Sequence, residues 1–528
     1  MGDFSLILTP FGGLVEAEPT YKPNTTIRHV KCGEEKPECN KCTSTGRKCD
    51  GYTEASQKQL HQVIVTSASQ YAWGLSHDRN LVLVPGTREE REYVQFFSTQ
   101  TAHALSGFFP SDFWTKFLPQ LSHLNPAIRH AVAAVGALHQ RQLRGTFLSA
   151  NADSGENKVF ALQQYNKAIQ KFLEQMGKPN DMEIDKMLIQ CVLFICLEML
   201  NGNIKQAMDH VEGGLKILTR QLQHNKPAAQ GGPGRELSQF FYRQRIQLSY
   251  FGRQLVLSTD MVSNEDMFSA LDGTLVFHNI DQARDCLTNV MTRGMFFIRS
   301  VQSQVWASPQ EPLSEQQIQQ QANHLEEVKG WRKSFERLRK RSAKTIGVSD
   351  PRAPLSMICQ CYAAEIWLST CTSLDEMNFD NFNVYFENIV SAGEQLVELC
   401  PKAESNAATE HFFLDAEVMP VLYWTTLRCR HPIWRRRALS ALSSYPAREG
   451  LWDKGLHLAV ARRLIELEEI ALVHLPVEQR VPSERQRIYD AMISPDMESI
   501  IKPCPVCFHY KSQGPMGPWD AHWENVCW

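Results

Sequence analysis

The sequence predicts a mainly α chain: one large all-helical body, preceded by a small module that apolar burial alone cannot fold. Three observations carry this. From Glu89 onward, apolar residues recur at three- and four-residue steps, the period of an amphipathic helix. Strand-type alternation is nearly absent over the same stretch, which disfavours α/β architectures. Near the start, Cys32, Cys39, Cys42 and Cys49 fall within eighteen residues, separated by six, two and six others. A chain of 528 residues has room for a large body with a small appended module. Its formal net charge of −3 gives no global affinity for nucleic acid, so any such affinity must be local.

The small module is Arg28 to Tyr52, RHVKCGEEKPECNKCTSTGRKCDGY. Charged and turn-forming residues separate its cysteines, and almost nothing apolar is available for a core. Thiolates around a metal must therefore supply the folding free energy. A Cys-x-x-Cys knuckle with two further thiolates suits the tetrahedral preference of zinc. The candidate ligands are Cys32, Cys39, Cys42 and Cys49. Arg28, Lys31, Lys36, Lys41, Arg47 and Lys48 interleave with them, a compact basic patch fit for phosphate.

The run R-H-V-K-C, then K-P-x-C-x-x-C, then C-x-G-Y resembles the second two-thirds of a fungal six-cysteine binuclear zinc cluster, Zn(2)-C6. That resemblance places two more cysteines upstream, in a Cys-x2-Cys-x6-Cys spacing. The positions are occupied here by Lys22 and Thr25. In the family the first cysteine bridges both metals, so the resemblance implies one zinc for the four cysteines present, and two if the missing pair exists upstream. A start joined to the wrong upstream exon and a genuine loss of the first half-cluster would each give this sequence. The resemblance also implies that Arg28, His29 and Lys31 lie on a short helix that enters the major groove, with Lys31 the base contact. Lys36, Lys41, Arg47 and Lys48 would hold phosphates, which position without specifying.

The segments follow in order. Residues 1–27 form an atypical start with no period continuing into the module, 28–52 the partial zinc module, and 53–77 a polar linker without a sustained heptad. The body is expected over 89–473. Tyr93, Phe96, Phe97, Thr101 and Leu105 share one helical face that ends near Gly107. Ser111-Asp112 caps a short apolar helix through Trp114 and Leu118, and Asn125-Pro126 opens another. FFSTQTAHALSGFFPSDFWTKFLPQLSHLNPAIRHAVAAVGALH resembles the start of the fungal-specific regulatory domain that accompanies such clusters. Helices follow over Phe160–Phe172, Asp181–Leu200 and Ile204–Leu218. The last two form an antiparallel hairpin about Asn201-Gly202-Asn203, with Gly213-Gly214 allowing close packing. Further helices are expected over Glu236–Leu257, Asp281–Val305, Ser314–Lys344, Leu355–Ser373, Asn381–Leu399, Thr409–Leu427 and Leu456–Val473. CRHPIWRRRALSALSSYPAREGLWD resembles the closing signature of the regulatory domain. Residues 474–528 are expected to be an irregular tail.

The remaining features carry less chemistry. Cys191, Cys196, Cys359 and Cys361 sit in apolar helical segments and read as small buried hydrophobes in a reducing compartment. Phe4 to Val15 lacks the basic lead-in of a secretory signal. Met187 to Leu200 is too short to span a bilayer and carries Glu198. Arg435-Arg436-Arg437 reads as a solvated helix face. Gly231-Gly232-Pro233-Gly234 is not followed by a Walker lysine. Cys504, Cys507, His509, His522 and Cys527 could supply zinc ligands or be incidental thiols beside an aromatic terminus. No HExxH, G-x-S-x-G or dinucleotide fingerprint is present, so the expectation is no enzyme. The whole reads as a soluble nuclear regulator of RNA polymerase II genes, of a metabolic or secondary-metabolite pathway. Its partners would be double-stranded DNA and the transcription machinery or co-regulators, with no membrane. The alternative is a regulator that has lost DNA binding and works by protein contact through its helical body.

Overall fold

The chain divides into two compact units, Met1–Val82 and Leu83–Trp528. The computed structural model describes residues 85–147, 156–176, 184–223, 233–253, 276–307, 310–341, 350–400, 412–415, 417–493 and 503–528, all in the second unit. The zinc module, its basic residues and the linker lie outside the described residues.

Helix α1 (Arg88–Phe96) opens on a capping box: Thr87 Oγ1 accepts from the Glu90 amide (3.2 Å) and Glu90 Oε2 accepts from the Thr87 amide (3.0 Å). It runs through a π-helical turn, Phe97–Thr101, into α2 (Ala102–Ser106). It stops at Gly107, whose φ of 61° few other residues would adopt. A second π turn, Phe113–Phe117, leads into α3 (Leu118–Leu124), and the Asn125 side chain caps α4 (Pro126–Phe147) through the Ile128 amide (3.2 Å). Then come α5 (Glu156–Met176), α6 (Ile184–Asn201) and α7 (Ile204–Gln223). Gly202, at φ 81°, makes the expected hairpin turn between the last two. The remaining long helices are α8 (Pro233–Tyr250), α9 (Ile280–Ala307), α10 (Glu315–Arg339), α11 (Arg352–Thr370) and α12 (Asn383–Glu398). The last three are α13 (Met419–Arg428), α14 (Pro432–Ser444) and α15 (Lys454–Glu469).

One apolar core runs through these helices, from Phe97, Val132 and Leu193 to Trp331, Leu422 and Val460. A satellite cluster about Ile366, Phe386 and Ile389 joins α11 to α12. Among the described residues no helix is long and apolar enough to cross a membrane.

Three sequence expectations need correction. The helix expected from Thr409 begins at Met419, because Phe412–Phe413 (β1) pairs in parallel with Arg448–Glu449 (β2), itself antiparallel to Trp452–Asp453 (β3). The C-terminal segment is not irregular. Ile488–Ile493 (β4), Cys504–Tyr510 (β5) and Asp520–Val526 (β6) form an antiparallel sheet in the order β4-β5-β6. Its buried Ile488, Val506 and Phe508 belong to the main core. The arginine run is not a solvated face: Arg435 is fully buried, Arg436 pairs with Glu469 (2.5 Å) and Arg437 Nε with Glu394 (2.8 Å). Helical period alone could not show which side of α14 meets α15.

Candidate functional site

The sequence-predicted zinc ligands Cys32, Cys39, Cys42 and Cys49 lie outside the described residues, as do Arg28, His29, Lys31, Lys36, Lys41, Arg47 and Lys48. The C-terminal cysteines are described, and the sheet separates them. Cys504 lies opposite Val526 and Cys507 opposite Trp523 on β5–β6. Side chains three residues apart on a strand point to opposite faces, so this Cys-x-x-Cys cannot close as a knuckle. Cys507 Sγ lies 3.5 Å from His509 Nε2, whereas His522 turns to Glu524 (3.0 Å). Among the described residues no group of three or more His, Cys, Asp or Glu side chains is placed to hold a metal.

The helical cysteines are chemically quiet. Burial pushes the Cys191, Cys286, Cys359 and Cys371 thiols up to about 12, so the reactive thiolate is scarce near neutrality. The histidines are structural as well: His130 Nδ1 meets Gln164 Oε1 at 2.7 Å, and His139 Nδ1 meets Thr101 Oγ1 at 3.0 Å.

The body's most polar interior lies where α8, α9 and α11 meet the segment before α13. Asp415 accepts from Arg243 Nε (3.0 Å), Gln244 Nε2 (3.0 Å) and Arg284 (2.9 Å). Burial works to raise its carboxyl, but Arg243 and Arg284 outweigh that and hold it below the usual carboxylate range. Arg284 also pairs with Glu417 and lies over the Phe109 ring at 3.7 Å. Gln360 Nε2 donates to Glu417 Oε2 at 2.7 Å. Beside this lies an apolar chamber under Trp367, whose ring stacks on Tyr250 at 5.8 Å. Tyr250, Met291, Gln360 and Val421 wall off one space from the other. Each space encloses only about 30 Å³, room for roughly two waters rather than a metabolite. Two carboxylates against two guanidiniums also leave no net charge to attract a ligand. This site binds the fold together.

A second buried network closes the C-terminal half. Glu468 accepts from Arg430 (2.9 Å) and from Arg435 (2.5 Å), and from the Ile488 amide of β4 (2.7 Å). Arg430 also reaches Glu376 (2.7 Å), and Arg487 reaches Asp380 (2.7 Å). Glu449 caps α13, taking the Val418 and Met419 amides (3.1 and 2.6 Å) and the Tyr445 hydroxyl (2.6 Å). No short spacing could have announced these sites, since Asp415 meets Arg243 and Gln244 across 172 and 171 residues.

Comparison with known proteins fits this arrangement of modules. Residues 92–412 match the fungal specific transcription factor domain, and residues 26–59 the fungal Zn(2)-Cys(6) binuclear cluster domain. The chain belongs to the fungal specific transcription factor family. Two curated relatives are similar to parts of it. One is the aspercryptin biosynthesis cluster-specific transcription regulator atnN of Emericella nidulans, 37% identical over 37% of this chain and 34% of that protein. The other is the transcription regulator lscL of Purpureocillium lilacinum, 28% identical over 36% of this chain and 47% of that protein. The likeness thus spans between a third and a half of each relative's length. No solved structure matches the chain.

Proposed function

We propose that the chain is a zinc-dependent, sequence-specific DNA-binding regulator of transcription. It would act in the nucleus on RNA polymerase II genes of one metabolic pathway. The observation that carries this is the order of the two family matches: a cysteine cluster over 26–59, then the regulatory domain over 92–412. The printed name of the first relative, a regulator specific to one biosynthesis cluster, supports a secondary-metabolite pathway.

The donor set fits one zinc. Cys39, Cys42 and Cys49 would hold it, with Cys32 completing a tetrahedron and His29 as a substitute. Thr25 offers a weak neutral oxygen and Lys22 a cation, both poor zinc ligands. When bound, the metal supplies the folding free energy that the module's own side chains lack, on the order of 10–16 kcal/mol in small zinc peptides. Arg28 and Lys31 would then be presented to base edges, and Lys36, Lys41, Arg47 and Lys48 to phosphates. The helical body, with domain bounds near 89–473 plus the C-terminal sheet, would carry the contacts to co-regulators.

The test joins metal counting to DNA binding. Native mass spectrometry should find one zinc per chain, and chelation should abolish a DNA shift whose log-log salt slope steepens by roughly 0.9 per phosphate contacted. Lys31→Ala should cost about 1–3 kcal/mol at the preferred duplex and relax its preference. A zinc-loaded chain that binds no duplex would favour the alternative, a regulator acting by protein contact alone. Lys22 and Thr25 in place of the first two cysteines support that second reading.

A further inference from the structure

Helix α5 buries one side against the body and leaves another apolar side uncovered. Val159, Leu162, Leu173 and Met176 are 55, 42, 48 and 49% exposed. With Asn166, exposed, and Ile169, half-buried, they occupy positions 159, 162, 166, 169, 173 and 176. The steps run three, four, three, four, three, which is a heptad seam of alternating a and d positions. The opposite side, with Phe160, Ala161, Gln164 and Ala168, packs into the body. The exposed apolar residues are therefore not the helix's core face spilling outward. Leu124, 61% exposed, extends the seam, because reciprocal Asn125–Gln175 hydrogen bonds (3.3 and 3.2 Å) hold the start of α4 against the end of α5.

We infer that this seam is the docking face for a second copy of the same chain, pairing α5 with α5 in parallel about a two-fold axis. Three features select that occupant. The seam is self-complementary, as an isologous contact requires. Its single polar member, Asn166, stands at an a position, where an asparagine meets the same residue of the other helix and fixes a two-stranded register. An antiparallel pairing centred on the seam would instead set Asn166 against the partner's Ile169 and leave its amide unsatisfied. The flanking residues are compatible: the parallel register brings Lys158 beside the partner's Gln163 and Tyr165 beside the partner's Gln170, with no like charges opposed. The charged groups nearby are occupied elsewhere, Lys167 with Glu90 (3.0 Å) and Lys171 with Glu174 (2.9 Å). A 21-residue helix gives a seam about 31 Å long, a small interface, so the association depends on concentration.

Sedimentation equilibrium of the full-length, zinc-loaded chain tests this. The wild type should pass from monomer to dimer as its concentration rises. Leu162→Glu/Leu173→Glu should weaken self-association by about a hundredfold or more, because two carboxylates would be buried without partners. Its circular dichroism and thermal midpoint should stay near those of the wild type. If that variant fails to fold, Leu162→Gln/Leu173→Gln serves in its place. Asn166→Leu should tighten association and populate species beyond the dimer. A wild type that stays monomeric, a dimer indifferent to the paired substitutions, or an Asn166→Leu variant unchanged in association would overturn the proposal.

Discussion

His457 is kept neutral by its surroundings. Its Nδ1 donates to the Asp453 carbonyl (2.7 Å), and the ring lies against Tyr423 and Trp452 at 4.9 and 4.5 Å. Burial pushes its imidazole down to about 4. The unfolded chain takes up this proton below the ordinary value near 6.5, while the folded chain does not, so stability falls as pH drops through that window. Glu449 works the other way. Burial pushes its carboxyl up to about 7, so between the ordinary carboxylate value and 7 the folded chain holds the extra proton and stability falls as pH rises. A His457→Gln variant separates the two. The wild-type advantage over it, measured by urea unfolding, should shrink by roughly 2 kcal/mol between pH 7 and pH 5. An advantage independent of pH would show that His457 titrates as it would in water. At this scale the sequence was legible where chemistry is local: cysteines in apolar helices are buried thiols, and histidines at scattered spacings are not ligands. Arg435 was not legible, because its partner Glu468 lies 33 residues away on another helix.

The α6–α7 hairpin shows the same division at the scale of elements. Asn201-Gly202-Asn203 and two apolar periods announced both helices and the turn between them. The Gly213-Gly214 pair announced close packing without saying which glycine needs it. A Cβ on Gly214 would lie 2.1 Å from the Phe241 ring, whereas one on Gly213 would meet nothing within 4 Å. Gly214→Ala should therefore cost about 1–3 kcal/mol through overpacking against α8. Gly213→Ala should stabilise by up to about 1 kcal/mol, since alanine suits a helix interior better than glycine. Thermal unfolding of the two variants, side by side, checks the contrast; equal effects would mean that α7 and α8 do not pack this closely. The C-terminal sheet marks the opposite limit. Its alternation is short, interrupted by Pro505 and half-covered by helices, so period 2 gave no clear signal there.

For the whole molecule, the sheet is part of the body rather than an appendage. The Ile488 amide and carbonyl join Glu468 and Arg430, both wholly buried, and Arg487 reaches back to Asp380. A chain ended at Val473, where helical period suggests the body stops, would leave these groups buried and unpaired, at about 3–5 kcal/mol for a broken pair. Such a chain should aggregate or unfold without cooperativity. Light scattering and urea unfolding beside the full chain check this, and equal stability would detach the sheet from the core.

The sequence by itself determined the class of this protein: a thiolate module by cysteine spacing, a helical body by period, and the family through motifs local to each. It did so because metal spacing, helical period and turn chemistry act over a few residues. Only the tertiary structure decided which charges are buried, where the body ends and which side of α5 stays open. Those depend on contacts between elements far apart in the chain, which no local pattern encodes.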